Sequence, residues 1–377
     1  MKKIAIIGCG ISGLYFANLL KDEKLYDYTI FEKKSKIDLS DGYGIQLSVN
    51  SIKLLNKIGF RNIPINEIFF PDKVNFFDAK TIKKICEIDI SSFNSSDCKY
   101  TLLKRSSLIK FLINNIPPHK IKNNLEVKQI KYGDKLRLTL SDNSSGEFDF
   151  LIVSDGVFSK TKTTILNKDS SPKFFNSVAL RANIKNLNNR NISIYMGSNF
   201  HFVIYPINQN NEFNFISILK RKLNKEELSD NDYFKNNKFL KSLSDQIYEK
   251  SSLDLKGKLE NIKSFPIFVS KSFEILKHKN IFFVGDALFS FSPSFAQGAS
   301  QSIESSKEAF DIINSNSSSY YEKRKKRVKE INFRSKLNYF AFQLSNPIAI
   351  FLRNIVLKLL VKNRKFLENY LGRIYKN

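Results

Sequence analysis

Tryptophan is absent, methionine occurs twice, and histidine and cysteine occur three times each in a chain of 377 residues. Three cysteines (Cys9, Cys86, Cys98) are an odd number without a CxxC spacing. That argues against a disulfide framework or a thiolate zinc site, so no metal is expected, and it suits a reducing, cytoplasmic setting. Without Trp, and with so little Met, the core must be assembled from the 34 Phe together with Ile and Leu. Acidic residues are also few, 36 against 61 Lys and Arg, which leaves a net charge of +25 and a pI near 9.7. Such a balance raises nucleic acid, anionic lipid or an anionic substrate as partners. The basic residues are spread over every segment and form no stripe interleaved with aromatics, so they read as a solvated surface and no nucleic acid is expected. Long apolar runs are missing too. Residues 337–352 carry no charge, but sixteen positions that include Gln343, Ser345, Asn346 and Pro347 are too few and too polar to span a bilayer. Basic residues follow at Arg353, Lys358, Lys362, Arg364 and Lys365. This region is therefore either a helix packed on the protein or an interfacial helix with weak peripheral membrane contact. The opening MKKIAIIGCGISG runs from apolar residues into glycines, as a strand does and a signal peptide does not.

What is present is globular: 42% hydrophobic and 26% charged, with a length that suggests two or three domains. Residues 3–7 form a short apolar run that stops at glycine, which predicts a buried parallel strand. Gly8-Cys9-Gly10-Ile11-Ser12-Gly13 follows, then helical spacing from Leu14 to Leu20, then a strand over 28–31 ending on Glu32. That order is a βαβ unit with a glycine-rich first turn. A helix is expected over 49–58, a hairpin from 74–77 and 82–88, and a meander of three strands between 125 and 153. Further strands are expected at 178–184, 192–196, 201–205 and 213–219. A polar stretch, 222–242, separates these from a short segment near 265–269. The run 281–284 reads as another buried strand, ending in Gly285-Asp286, and from Ser300 onward the pattern is mostly helical.

The glycine turn carries the first chemistry. A strand precedes it, a helix follows, and an acidic residue ends the next strand, 19 positions after Gly13. Gly8 permits the tight turn, Gly10 lets the backbone approach a pyrophosphate, and Gly13 allows close helix–strand packing. The helix start supplies N–H groups for the phosphates, and Glu32 can accept both hydrogen bonds of a ribose diol. A dinucleotide site is predicted here, with Ser12 and Lys33 as flanking contacts. The motif alone does not choose between FAD and NAD.

Further segments resemble the FAD-dependent aromatic hydroxylases, in the salicylate-hydroxylase-like branch. Gly42-Tyr43-Gly44-Ile45-Gln46-Leu47-Ser48, with Asn50, is similar to that family's GxGIQLSPN segment. Lys104-Arg105-Ser106-Ser107-Leu108 resembles its RxxLxxxL helix, whose Arg contacts FAD. Ser154-Asp155-Gly156-Val157-Phe158-Ser159 resembles its ADGVxS segment beside the flavin. Gly285-Asp286-Ala287, with Pro293 and Ala296-Gln297-Gly298-Ala299, resembles the segment whose Asp binds the ribityl chain. The resemblance runs from residue 3 to about residue 355. It implies an α/β fold: a Rossmann-type FAD-binding domain, an inserted β-sheet substrate domain and C-terminal helices. The corresponding boundaries are 1–72, 98–170 and 270–320; 73–97 and 171–269; and 321–377. FAD contacts are implied at Gly8, Gly10, Ser12, Gly13, Glu32, Lys33, Gly44, Ile45, Arg105, Asp155, Gly285, Asp286, Pro293, Gly298 and Ala299.

The activity implied is that of a single-component monooxygenase with non-covalent FAD. NAD(P)H would be a transient co-substrate, O₂ would react through a flavin C4a-hydroperoxide, and an aromatic, anionic small molecule would be hydroxylated. A monomer or homodimer is expected. The alternative is an FAD-dependent reductase or epoxidase of isoprenoid or polyene lipids; a halogenase is disfavoured because its signature needs Trp. Of the three histidines, His119 and His278 fall in loop-like contexts. His201 opens a strand that faces the flavin in the family and is the candidate base, with Gln297 as the candidate orienting residue. The chain departs from the family at Phe289, where His is usual, at Ser305, where Asp is usual, and near Lys162, where Arg is usual.

Overall fold

The computed structural model describes every residue except 38, 40, 41, 277, 316–318 and 377. All candidate site residues lie within the described part. The chain opens with β1 (Lys2–Ile7), α1 (Ile11–Leu19) and β2 (Tyr26–Glu32), the anticipated βαβ unit. Next come β3 (Gly44–Leu47), α2 (Val49–Asn56), β4 (Ile68–Phe69), and the hairpin β5 (Lys73–Asp78) and β6 (Lys84–Asp89). β7 (Thr101–Lys104) runs directly into α3 (Arg105–Asn114), followed by β8 (Ile121–Asn123) and a meander of β9 (Val127–Lys131), β10 (Leu136–Leu140) and β11 (Ser145–Phe148). β12 (Phe150–Val153) and α4 (Lys160–Leu166) lead to four long strands, β13 (Lys173–Lys185), β14 (Ile192–Gly197), β15 (Phe200–Pro206) and β16 (Glu212–Lys220). The remainder is α5 (Lys225–Ser229), α6 (Asn237–Lys250), β17 (Glu260–Val269), β18 (Ile281–Phe283), α7 (Gly285–Leu288), α8 (Gly298–Ser315), α9 (Tyr320–Phe342), α10 (Pro347–Leu360) and two short C-terminal helices, α11 (Arg364–Leu367) and α12 (Arg373–Tyr375).

Two large sheets organise these elements. The parallel sheet has the order β18-β12-β1-β2-β8, and its central strands are apolar because α1 and α8 cover one face and the meander the other. The second sheet has seven strands in the order β17-β13-β16-β15-β14-β5-β6, antiparallel except between β14 and β5. A small sheet, β3-β7-β4, lies in contact with both β15 and β16.

Two sequence expectations are corrected. The third meander run, residues 147–153, is two strands in different sheets, divided at Asp149. Its N–H donates to Lys3 O (2.8 Å) and its carboxylate accepts from Lys3 N–H (2.6 Å), so the chain is turned onto the edge of β1. The polar stretch 222–242 is not a mere spacer. Asn236 caps α6 by accepting from Lys238 and Phe239 N–H, and Phe239, Leu243 and Ile247 then fall on one buried face against the seven-stranded sheet. Helical spacing was present there, hidden by the surrounding Lys and Asn.

Candidate active site

The C-terminal ends of the parallel strands meet two cavities. The smaller, about 180 Å³, is lined by Gly8, Gly10, Glu32, Lys33 and Asp155 among others. At this turn Gly8 has φ +100°, and a Cβ on Gly13 would stand 2.2 Å from Gly8 O, so neither position admits a side chain. Gly10 has ordinary backbone angles and open space: a Cβ there would meet only Ser154 O, at 4.0 Å. No side chain caps α1, whose first bond is Leu14 N–H to Gly10 O (3.0 Å), so the preceding N–H groups have no helix partner. Glu32 is buried; it accepts from Cys9 N–H (2.8 Å) and Lys34 N–H (3.0 Å), bracing the turn from beneath. Burial, and then Glu32, push the Cys9 thiol up to about 12, so it stays an inert neutral group. Asp155 accepts from Thr161 N–H with one oxygen, while the other is buried without a partner. Burial raises its pKa despite the Ser159 and Thr161 hydrogen bonds.

The larger cavity, about 540 Å³, lies between one face of the seven-stranded sheet and the segment 286–299 that follows β18, with α9 and α10 along its side. Alternation along the strands decides which side chains reach it. On β15, His201, Val203 and Tyr205 face the cavity while Phe200, Phe202 and Ile204 pack towards α6. Ile192 and Ile194 of β14 and Ile216 and Ile218 of β16 extend the same apolar wall. Gly44, Ile45, Asp286, Pro293, Gly298 and Ala299 form the opposite side. A Cβ on Gly44 would come within 2.7 Å of Ile207, Asn214 and Tyr205, so only glycine permits this approach. The N–H of Gln301 donates to Gln297 O (2.8 Å), leaving the N–H groups ahead of it at the start of α8 without helix partners. Asp286 is accessible to whatever fills the cavity yet deep within the molecule. Enclosure pushes its pKa up to about 6 against the pull of Arg105. Gly285, at φ +58°, packs against Ser12, so the Asp286 turn rests on the start of α1 and ties the two cavities together.

The structure changes the roles open to His201 and Gln297. His201 is 2% exposed, and its Nδ1 lies 3.0 Å from Gln343 Nε2. That amide nitrogen also donates to Ile218 O (3.0 Å), which fixes it as a donor and makes Nδ1 the acceptor. The proton therefore sits on Nε2, and burial holds the imidazole neutral, its pKa pushed down to about 3. A ring whose acceptor nitrogen is already engaged is a hydrogen-bond donor, not the base expected from the sequence. Gln297 does not reach the cavity: its Nε2 donates to Ser48 Oγ (3.1 Å) within a buried polar network. In that network Ser48 donates to Asn50 (2.6 Å), Asn50 donates to Glu304, and Glu304 accepts from Arg327 (2.6 Å). Arg324, 1% exposed, lies 3.5 Å from Glu304 and donates to Gln301 Oε1 (2.6 Å). Sequence reasoning also missed Arg181, Tyr100 and Tyr205 on the cavity wall. Tyr205 was legible, four positions from His201 on the same strand face. Ala296 was missed as well: it takes φ +51° beside the cavity, a conformation costly for a residue with a Cβ.

No family model matches the chain. It is 25% identical over 172 residues to the FAD-dependent monooxygenase asqG of Emericella nidulans, a stretch that is 43% of this chain and 30% of that protein. Across the curated relatives it matches, the shared stretch spans 30% to 56% of their length. Klebsiella pneumoniae HpxO complexed with FAD and uric acid has a TM-score of 0.84 at 16% identity, covering 98% of this chain and 97% of that one. A salicylate hydroxylase substrate complex has a TM-score of 0.77 at 15% identity, covering 100% and 95%. The fold is that of the FAD-dependent aromatic hydroxylases. Within that fold the three departures have structural answers. Ser305 accepts from Gly285 N–H (2.9 Å), fixing the turn before Asp286. Lys162 is buried and donates to Leu288 O (3.2 Å) at the end of α7. Phe289 packs on Phe291, ring centroids 5.0 Å apart, as part of the core.

The residues present fit FAD. The uncapped α1 start and the open space at Gly10 suit a pyrophosphate, the orphaned Asp155 oxygen and Glu32 suit polar groups of a nucleoside, and Asp286 with the α8 start suits a polar chain and ring edge. Among the described residues there is no cluster of three or more metal-ligating side chains, and no helix is long and apolar enough to cross a membrane.

Proposed function

We propose that this chain is an FAD-dependent monooxygenase that uses NAD(P)H and O₂ to hydroxylate an aromatic small molecule. The observation that carries the reading is the conjunction, at one edge of the parallel sheet, of the glycine turn with Glu32, Asp155 and Asp286, opening towards a walled apolar cavity. FAD, when bound, supplies the electron transfer and the activation of oxygen. The protein supplies position and field. Glu32 and the α1 start hold the nucleotide end, Asp286 and Arg105 hold the middle of the cofactor, and the N–H groups at the α8 start stabilise negative charge near its ring. Aliphatic residues of β14, β15 and β16 exclude water from the reacting atoms. Neutral His201 offers Nε2–H, and Tyr100, Tyr205 and Arg181 are among the polar groups of the lining able to orient a ring substituent. The glycine turn of β1 has no second copy in the sequence, so the pyridine nucleotide binds only in passing. The predominantly aliphatic wall also favours the second reading, a reductase or epoxidase of an isoprenoid or polyene. Purified protein should be yellow and release FAD on denaturation. NAD(P)H oxidation should then be screened against phenols, aromatic acids and polyenes under ¹⁸O₂. Label in an aromatic product supports the first reading, label in an epoxide or an unlabelled reduced polyene supports the second, and a colourless protein that takes up no FAD defeats both.

A further inference from the structure

Helix α10 reverses the usual order of a surface helix. Arg353 is its buried residue, while Ile348, Phe351, Leu352, Ile355, Val356 and Leu359 are 41–71% exposed. Their spacing places all six on one outward stripe. The orientation is held from within: Arg353 donates to Ala341 O (3.1 Å) and to Asn354 Oδ1 (2.9 and 3.1 Å), and Asn346 caps the helix start. The second half of α9 adds exposed Phe333, Leu337 and Phe340, and Leu337 lines the same cavity as Val356 of α10. Nine of the seventeen exposed large apolar side chains among the described residues thus fall on two adjacent helices. Scattered exposure needs no explanation; a contiguous patch does.

Charge indicates what covers it. Residues 331–367 contain seven Lys or Arg and no Asp or Glu. Five of these, Lys336, Lys358, Lys362, Arg364 and Lys365, are exposed. A second copy of the chain on this face would oppose like charges, whereas an anionic lipid surface presents the complementary sign. At 14 residues α10 is about 21 Å long, short of the roughly 30 Å hydrocarbon core, so it would lie in the interface and not across it. Leu337 and Val356 are thus both exposed and part of the cavity lining, with Leu357 and Leu360 behind them. We propose that α10 and the end of α9 dock on an anionic bilayer, with the apolar stripe in the lipid and the large cavity opening onto it, so that its ligand is a lipid-soluble molecule drawn from the membrane. The statement about the ligand rests on the cavity being the substrate site; the docking does not.

The test is flotation of the full chain with vesicles of phosphatidylcholine alone and of phosphatidylcholine with phosphatidylglycerol. The protein should float with the anionic vesicles far more than with the neutral ones, and added salt should weaken binding. The double variant Phe351→Glu with Leu359→Glu should lower the partition coefficient at least about tenfold, with melting temperature and FAD content unchanged because both side chains face outward. Lys358→Glu with Lys362→Glu should lower binding to the anionic vesicles alone. Equal partition of wild type and variants, no flotation at all, or a wild-type dimer that the Phe351/Leu359 variant converts to monomer would overturn the proposal. Flavin content is read on the same samples: protein that floats without holding FAD defeats the enzymatic reading and leaves the docking intact, and the reverse result does the opposite.

Discussion

Replacing Gly10 with alanine separates the two roles a glycine turn can have. At Gly13 the reason for glycine is internal: an added Cβ would stand 2.2 Å from Gly8 O and 2.6 Å from Ser154 Oγ, so α1 must shift on β1. Overpacking of that kind costs about 1–3 kcal/mol, and Gly13→Ala should lower stability and FAD binding together. At Gly10 nothing in the protein objects. The backbone is extended, at φ −81° and ψ −178°, and the nearest atom to a Cβ is 4.0 Å away. Alanine is a poorer helix cap than glycine, so the apoprotein should lose no more than about 1 kcal/mol. The methyl group would instead stand where a pyrophosphate approaches the unpartnered N–H groups of α1. Losing one charge-assisted hydrogen bond costs about 1.5–3 kcal/mol, or roughly ten- to a hundredfold in affinity. Titration of FAD into apoprotein, followed by quenching of flavin fluorescence, gives the affinity, and urea unfolding of the same apoprotein gives the stability. Wild-type FAD affinity in Gly10→Ala would refute the placement of the pyrophosphate at this turn.

Three further outcomes are expected. Asp286→Ala and Arg105→Ala should weaken FAD retention more than His201→Ala, measured by the flavin left after gel filtration; equal retention would move the cofactor away from Asp286. Because burial holds His201 neutral down to about pH 3, acidification from about 6.5 towards 3 should destabilise the wild type as the unfolded chain takes up a proton that the folded one refuses. His201→Phe should lose less stability over that window in pH-dependent urea melts, and the pH–rate profile between 5 and 8 should keep its shape in His201→Asn; a limb that disappears would restore the histidine as a base. Glu304→Leu leaves Arg327 without its carboxylate and Arg324 with Glu308 alone (3.4 Å), and should cost about 3–5 kcal/mol by urea unfolding, whereas a loss under about 1 kcal/mol would mean that the buried pair is replaceable.

The strand–turn–helix unit of the candidate nucleotide site was legible from the sequence. A run that stops at Gly8, helical spacing after Gly13 and an acid at Glu32 define a strand, a turn and a strand end from neighbours alone, since the chain's own sterics set them. The strands of the second sheet were legible for the same reason, through alternation of period two. What the linear pattern does not contain is which distant groups meet. His201 reads as a base until Gln343, 142 positions away, is found donating to its Nδ1. Gln297 reads as an orienting residue until Ser48 is found holding it. The run 147–153 reads as one strand until Lys3 turns it at Asp149. The apolar residues of α10 read either as a packing face or as an interfacial one until burial is found to have chosen Arg353 in their place. Sequence by itself therefore determined most of the elements, the glycine turn and the acidic strand ends, because backbone sterics and side-chain periodicity act over a few residues. Tertiary structure alone decided protonation, partner choice and which face meets solvent, because these depend on desolvation and on hydrogen-bond partners brought together from far along the chain.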